Sequence, residues 1–581
     1  MIKLTDALAL ILKENNIKSV FGLQGGAVVH IFDSLEKYKI DVTYTHHEQT
    51  ASLAGVANAK ATQNIGCVVV TTGPACTNAM TGLLAAWQDS VPCIFISGQS
   101  RSNHTSYGKK VRQTGTQEVN ICDIVKPITK YTCFVKNKNK FVKEMRKALA
   151  IAISGRPGPV WLDIPLEIQW SKINYIKRNE VSKINQHKKI SQSQINNFLK
   201  LCKNSKKPLL LLGFGCRLSD PKIVNIINLI KREKIPFVST WNAKDFFPTT
   251  HKQNLGTIGM SGQRGANKVI FEADLIICLG THLSIPHTTT LYDNYAKQAK
   301  KVIVNIDKNQ LENLNVKFDL KICTDVKKFL SNIRNKKLFK RLEWKNLEYF
   351  RKINWYNPKK NIKVNSDFFI NKLSAVLPSK SCIIIDGGGT ALYSGFQSTI
   401  VKKNQRIICS SAISSMGTGL AESIGCFKSG KFNKMICIIG DGSFLMNIQD
   451  LENIKRYKMN LSVILINNNG YLAIRHTQKE FLKEKYYGTN PKGNLTMPNF
   501  ESVVKAFGLD YIKVERYNQI KSAINYILNQ QTPTVCEIIT DEEQSSLFKQ
   551  GYRKVADGRF EPQNLEEMHP FFEKSVSNTN N

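Results

Sequence analysis

An apolar run at 435–439 ends in Gly440, Asp441, Gly442 and Ser443; a helical pattern follows, with Phe444, Ile448 and Leu451 at i, i+4 and i+7. A second apolar run, 461–466, then ends in Asn467, Asn468 and Asn469. Two short, continuously apolar strands joined by a helix must lie parallel and be covered on both faces, so this stretch is one βαβ unit of an open α/β sheet. Both polar clusters then stand at the C-terminal ends of neighbouring strands, where such sheets bind ligands. The glycines let the backbone approach a diphosphate, and the helix turns its positive end toward it. A carboxylate, an amide oxygen and a backbone carbonyl are hard donors of the kind Mg²⁺ takes while it keeps phosphate oxygens and water. Gly-Asp-Gly alone reads sooner as a tight turn with a capping aspartate; the second strand and its asparagines are what favour the diphosphate and metal.

The chain of 581 residues is too long for one core and suits about three domains. Its apolar fraction of 42% is that of a globular protein, and no run is long enough to span a membrane. The apolar stretch at 7–12 is flanked by Asp6, Lys13 and Glu14 and reads as a helix, so the expected location is cytoplasmic. The fourteen cysteines stand mostly singly in apolar surroundings, without CxxC spacing, as reduced and buried small hydrophobes. The net charge of +37 is spread along the chain, with runs at 136–140, 187–189 and 336–341 in surface turns and no interleaved aromatics. That pattern favours a solvated basic surface over a nucleic-acid site, with polyanion affinity the minor alternative.

Strands and helices alternate over 1–172. A strand at 19–21 runs into Gly22, Leu23, Gln24, Gly25 and Gly26; a strand at 42–45 ends at His46, His47, Glu48 and Gln49. The strand 67–70 leads into Thr71, Thr72, Gly73, Pro74, Ala75, Cys76, Thr77 and Asn78; the strand 93–96 follows Asp89, Ser90, Val91 and Pro92 and precedes Gly98 and Gln99. After a polar, basic linker, strands at 208–212, 237–240, 275–279 and 302–307 make 193–335 a Rossmann-like middle domain. A second basic linker, 334–363, leads to a third domain over 364–545. There a strand at 382–385 ends in Asp386, Gly387, Gly388, Gly389 and Thr390, a loop suited to phosphate oxygens, and Ser414, Ser415, Met416 and Gly417 precede an apolar helix. The tail, 546–581, includes Asp557, Gly558, Phe571 and Phe572 and shows no strong periodicity. The expected fold is α/β, with three doubly wound parallel-sheet domains.

These blocks, with His47-Glu48-Gln49, the Gly-Pro-x-x-Thr-Asn at 73–78, Asp-Ser-Val-Pro at 89–92 and Ser154-Gly155-Arg156-Pro157-Gly158-Pro159, resemble in order and spacing the acetolactate synthase large-subunit family of thiamine diphosphate (ThDP) enzymes. The resemblance implies a ThDP pyrimidine-binding domain at 1–172 and a ThDP diphosphate- and Mg²⁺-binding domain at 364–545. It makes Glu48 the partner of pyrimidine N1′, with Gly25, Thr71, Pro74 and Asn78 around the coenzyme and Gln117 beside the chemistry. Met416 would support the bent coenzyme; Gly389, Thr390, Ser414, Gly440, Gly442, Ser443 and Tyr471 would line it; Asp441, Asn468 and the carbonyl of Gly470 would hold the metal. A carboxyl is needed at position 48 because proton sharing with N1′ promotes the imino form of the coenzyme's own amine, the base that activates it. The implied substrates are a 2-oxo acid, pyruvate first, and a carbonyl acceptor, turned over by a homodimer or homotetramer. The tail would fold over the site.

In this family the middle domain binds non-redox FAD, and Arg156, Gly213, Gly215, Gly259, Met260, Asp307 and Asp325 match its positions. The family's arginine-rich turn is here Thr281, His282, Leu283, Ser284, Ile285 and Pro286, so FAD and an empty structural domain both stand open. Three further departures touch the substrate pocket: Gln24 replaces a proline, Thr116 a phenylalanine and Thr477 a tryptophan. The segment 470–478 looks more like relatives in surface-sugar biosynthesis that pass an acetyl unit to a keto sugar. True acetolactate synthesis and an inactive ThDP-binding homologue are the alternatives; Glu48, Asp441 and Asn468 all being present argues against the second.

Overall fold

The computed structural model describes all residues except 179, 182–189, 359–361, 556–559 and 572–581. Among the described residues the chain builds three six-stranded parallel sheets with helices between successive strands, and it divides into two compact units. The first comprises 1–186, 378–392 and 404–542; the second comprises 187–377, 393–403 and 543–581.

The first unit holds two sheets of one design. The N-terminal sheet runs in space Asp41–Tyr44, Ser19–Gly22, Gly66–Val70, Cys93–Gln99, Pro159–Pro165, Tyr131–Phe134. The C-terminal sheet runs Arg406–Ile408, Ser381–Ile385, Lys434–Gly440, Leu461–Asn467, Thr534–Ile539, Asp510–Val514. Counted along the chain, both read 2-1-3-4-6-5, so each reverses direction between its first and third strands and opens a crevice beyond their C-terminal ends. Central strands such as Gly66–Val70 and Ser381–Ile385 are buried along their whole length, as continuous apolar runs require. In the C-terminal sheet Met435 pairs with Leu461 and Gly440 with Ile466, a register that brings Asp441 level with Asn467.

Helix Glu48–Thr62 of the N-terminal domain packs on helix Thr418–Lys428 of the C-terminal domain. Small residues set the separation: a Cβ on Gly425 would collide with the Ala54 carbonyl, and Asn58 Nδ2 donates to the Gly425 carbonyl at 3.1 Å. Thr50 Oγ1 donates to Asp450 Oδ1 at 2.7 Å across the same seam.

The second unit holds the middle sheet, in space Asn254–Thr257, Phe237–Ser239, Pro208–Leu212, Leu275–Leu279, Lys300–Asn305, Leu320–Cys323. Its chain order, 3-2-1-4-5-6, is the dinucleotide-fold order. Sequence periodicity finds the four inner strands and misses both edges, which are short and carry Gly256 and Lys321.

Three expectations are corrected. The helix after Ser443 is two helices, Asp441–Met446 and Asp450–Arg456; the chain breaks at Asn447, whose side chain donates to the Gly417 carbonyl at 2.7 Å, and Ile448 falls between them. The second linker contains helix Leu347–Lys352, followed by Asn354, whose side-chain oxygen accepts from the backbone N–H of Gly265 at 2.7 Å. The described part of the tail forms two antiparallel pairs, Lys549–Gln550 with Met568–His569 and Tyr552–Lys554 with Phe560–Pro562. Asp557, Gly558, Phe572 and the basic run at 187–189 lie outside the described residues. Among the described residues no helix is long and apolar enough to cross a membrane. Cys323 is exposed and Cys133 half-buried, whereas the other twelve cysteines are buried.

Candidate coenzyme site

Four backbone segments meet beyond the C-terminal sheet. The loop after its first strand, Asp386 to Thr390, is fixed by Asp386, which accepts from Gly388 N–H on Oδ1 and from Gly419 N–H on Oδ2, both at 2.9 Å. Ser414, in the left-handed region at φ 52°, donates through Oγ to the Gly387 carbonyl at 3.0 Å. A Cβ on Gly388 would meet Ser443 Oγ and Met416 Cγ, and one on Gly442 would fall inside the Tyr471 ring. Asn468 Nδ2 lies 3.4 Å from Thr390 Oγ1. Gly389, Thr390, Ser414, Met416, Gly440, Asp441, Gly442, Ser443, Asn468, Gly470 and Tyr471 are therefore brought together as one cradle, and around Gly440 space is open.

Asp441 is its centre. The carboxylate is 2% exposed; Oδ2 accepts from the backbone of Asn468 at 3.0 Å and of Gly470 at 2.9 Å, and Oδ1 from Gly442 at 2.7 Å. Burial nevertheless pushes its pKa up to about 6, against the pull of those N–H groups and of Arg475. A dication at its free lone pairs would hold it ionised, and the neighbouring Asn468 amide and Gly470 carbonyl are donors Mg²⁺ accepts. Among the described residues no three His, Cys, Asp or Glu side chains are grouped to hold a metal, so a cation here would complete its shell from a ligand and water.

Sequence reasoning missed Arg475 as a part of this site. It is 1% exposed and donates to the carbonyls of Asn468 at 2.7 Å, Asn469 at 3.2 Å, Thr489 at 3.0 Å and Glu542 at 2.7 Å, which fixes the whole turn after the fourth strand. The available signal was an arginine in an otherwise apolar turn of helix Leu472–Phe481.

The N-terminal sheet carries the second group. Glu48 opens helix Glu48–Thr62, behind His47, whose Nδ1 caps the helix by accepting from Gln49 N–H at 3.1 Å. Glu48 is 7% exposed and its Oε2 accepts from Asn78 Nδ2 at 3.0 Å. Gly25 packs on the Thr71 side chain, and Thr71 Oγ1 accepts from Ala27 N–H at 3.3 Å. Pro74 starts helix Pro74–Asn78 after Gly73, at φ 71°, which lies against the Gln117 carbonyl. Gln117 itself is held at φ 57° with an exposed side chain, beside exposed Thr116. The expected site residues thus form two groups, one at each sheet of the first unit.

The positions matched to FAD are used differently. Gly213 and Gly215 are glycines because the Gly280 backbone lies against them; Gly259, at φ 116°, packs on Pro286 and His287. Asp307 and Asp325 cap helices Lys308–Glu312 and Val326–Asn332, and Arg156 Nε donates to Ser90 Oγ at 2.8 Å. Chain packing by itself explains why these positions are glycine.

Three family models match the chain: the thiamine pyrophosphate enzyme N-terminal TPP-binding domain matches 2–124, the central domain 195–333 and the C-terminal TPP-binding domain 387–538. An acetolactate synthase large subunit of Cyanidium caldarium is 30% identical over 97% of this chain and 96% of its own. The chain belongs to the acetolactate synthase-like family of thiamine diphosphate enzymes. The acetolactate synthase isozyme 2 large subunit of Escherichia coli (strain K12) is 26% identical over 91% of this chain and 94% of its own, and an acetolactate synthase large subunit of Lactococcus lactis is 28% identical over 92% of each. As a member of a ThDP enzyme family with both TPP-binding domains, the chain is an enzyme of this carboligase type; the N-terminal match includes the Glu48 group and the C-terminal match the Asp441 group.

Proposed function

We propose that the protein is a ThDP- and Mg²⁺-dependent carboligase that decarboxylates a 2-oxo acid, pyruvate first, and passes the two-carbon unit to a polar carbonyl acceptor, with a keto sugar as the leading class. One observation carries the reading: buried Asp441, braced by the backbone of Asn468 and Gly470, stands in a glycine cradle at the switch point of the C-terminal sheet. Bound ThDP supplies the thiazolium carbon at which the donor is decarboxylated and from which the unit is transferred. Asp441, Asn468 and the Gly470 carbonyl would hold Mg²⁺, and Gly389, Thr390, Gly442 and Ser443 would offer the backbone and hydroxyl donors for a diphosphate. Met416, beside Gly388, would pack against the bound coenzyme. Glu48, oriented by Asn78, would share a proton with pyrimidine N1′, and exposed Gln117 would act beside the chemistry.

Glu48 and Asp441 lie on different sheets, and the family resemblance pairs the pyrimidine site of one protomer with the diphosphate site of its partner. The smallest active unit is then a homodimer, and sedimentation of a fully active monomer would refute it. The relatives' own names support a second reading, acetolactate formation from two pyruvates. The deciding experiment is mass spectrometry of products from pyruvate, ThDP and Mg²⁺ with a panel of aldehydes, 2-oxo acids and keto sugars. Acetyl transfer to an added polar acceptor is the expected result; a mixture that leaves pyruvate unconsumed removes the carboligase reading.

A further inference from the structure

The loop that carries Gln117 runs from Ser100 to Glu118, between the strand Cys93–Gln99 and the helix Ile121–Val125. It leaves the C-terminal end of a strand in a parallel sheet, so it stands at the same edge as Glu48 and the segment 71–78. One side chain closes its base. Gln99, 1% exposed, accepts on Oε1 from the backbone N–H of Ser100 at 2.9 Å and donates through Nε2 to the Val119 carbonyl at 2.8 Å. The same Oε1 accepts from Thr72 Oγ1 at 2.8 Å, and that hydroxyl lies 3.2 Å from the Gln117 carbonyl. Gln117 also lies against Gly73, where a Cβ would collide with its carbonyl.

Asp163, on the neighbouring strand Pro159–Pro165, decides which way that amide points. It is fully buried; Oδ2 accepts from Gln99 Nε2 at 3.0 Å and Oδ1 from Ser97 Oγ at 2.6 Å, and Ser97 Oγ itself accepts from Trp161 Nε1 at 2.8 Å. The titratable groups that face it, Cys76, Cys122 and Tyr107, are kept neutral by burial. Burial pushes the Asp163 pKa up to about 7, so at pH 8 it is ionised and can only accept. With its nitrogen drawn to Asp163 and Val119, the amide must turn its oxygen to Ser100 and Thr72. Every hydrogen-bonding position of Gln99 is then in use, and together they tie both ends of the loop to the segment beside Glu48.

We propose that Gln99 is a positioning residue that clamps the loop bearing Gln117 at the Glu48 edge of the N-terminal sheet, and that it acts on the reaction through Gln117. What Gln117 does there rests on the carboligase reading; the clamp does not. Further along the loop, Glu118 accepts from Ser106 Oγ at 3.1 Å and from Thr114 N–H at 2.8 Å, so between these ties only the stretch 107–113 is left to solvent, and Lys109, Lys110 and Arg112 on it are exposed.

Gln99→Ala opens the clamp, and Thr72→Val loosens it at constant shape without stranding Asp163. Limited trypsin digestion of the full-length proteins at pH 8 reads the loop directly through its lysines and arginine. Cleavage there should be about tenfold faster in both variants than in the parent, the scale of a lost buried hydrogen bond. With pyruvate, ThDP and Mg²⁺ supplied, each should also lose about 10²-fold in kcat at unchanged ThDP affinity, as a misplacement of about 1 Å does. In a Gln117→Ala background the same substitutions should cost little more, because a residue that acts through Gln117 then has nothing left to place. Loop cleavage at the parent's rate in both variants, or kcat losses that multiply in full with that of Gln117→Ala, overturns the proposal. A parent that leaves pyruvate unconsumed strikes the carboligase reading instead, and the cleavage rates alone then decide the clamp.

Discussion

Asn78 Nδ2 donates to Glu48 Oε2 at 3.0 Å, joining the helix that follows the second strand of the N-terminal sheet to the one that follows the third. The amide leaves the other carboxylate oxygen unclaimed and aims the group, which at 7% exposure has little water to solvate it.

Glu48→Gln should retain coenzyme, because the diphosphate cradle lies on the other sheet, yet lose about 10²–10⁴ in turnover, the range of general acid–base catalysis. Steady-state kinetics beside a coenzyme titration separates the two effects. Near-normal turnover would remove Glu48 from proton sharing.

Asp441→Ala should weaken Mg²⁺ and ThDP together, since the metal joins the protein to the diphosphate. It also strips the acceptor from the Asn468 and Gly470 N–H groups and loosens that turn. Isothermal titration of ThDP at fixed Mg²⁺ reads the effect. An affinity equal to the parent's would leave Gly440, Asp441 and Gly442 as a tight turn only.

Lys60 is a third kind of case. Its Nζ donates to Asp89 Oδ2 at 2.7 Å and to the Cys409 carbonyl at 2.9 Å, with both ionic side chains 3% exposed. Breaking a buried pair from one side typically costs about 3–5 kcal/mol because the remaining charge is stranded. Lys60→Met should therefore lower the thermal midpoint sharply, and Lys60→Met with Asp89→Leu should recover part of the loss. A double variant as unstable as the single one would mean that packing, rather than charge, is what Lys60 supplies.

The strand-end cradle around Asp441 was legible in the sequence because strand ends rich in Gly, Asp and Asn announce themselves by composition, and parallel pairing follows from apolar continuity. Where the chain turned on one side chain, pattern failed. Asn447 breaks an amphipathic helix by reaching the Gly417 carbonyl, a contact thirty residues away. Arg475 reads as a helix surface residue until the fold surrounds it with four carbonyls. The middle-domain glycines carry a signal of packing that pattern cannot separate from a nucleotide turn, since the Gly280 backbone fills the space of a Cβ at Gly213 and Gly215.

Asp450 is fully buried, accepts from Thr50 Oγ1, and burial pushes its pKa up to about 7. Unfolded, an aspartate titrates near 4, so from about pH 4 to 7 the folded chain holds a proton that the unfolded chain has lost. This group's contribution is thus fully present below pH 4 and declines as pH rises to 7. Asp450→Asn keeps an acceptor for Thr50 and removes that penalty. It should be the more stable protein at pH 8, by about 4 kcal/mol at most from a shift near three units, with the gain shrinking as pH falls. Thermal midpoints of both proteins at pH 5 and 8 check the sign. A gain that is the same at both would refute the titration.

The acceptor prediction rests on Thr116 and Thr477. Both side chains are exposed, and Thr477 Oγ1 only returns to the Ala473 carbonyl of its own helix at 3.2 Å, so neither is needed for the fold. With two large rings absent, a small apolar 2-oxo acid loses contacts of about 1–3 kcal/mol, while hydroxyls remain to bond a polar acceptor. Pyruvate alone should then give acetolactate slowly relative to transfer onto an added keto sugar. Restoring one ring with Thr477→Trp should shift the product ratio toward acetolactate by about tenfold, the equivalent of 1.4 kcal/mol, and should do so without changing coenzyme affinity. If the parent makes acetolactate at a rate that no added aldehyde or keto sugar can divert, and Thr477→Trp leaves the ratio where it was, these positions do not choose the acceptor and the enzyme makes acetolactate.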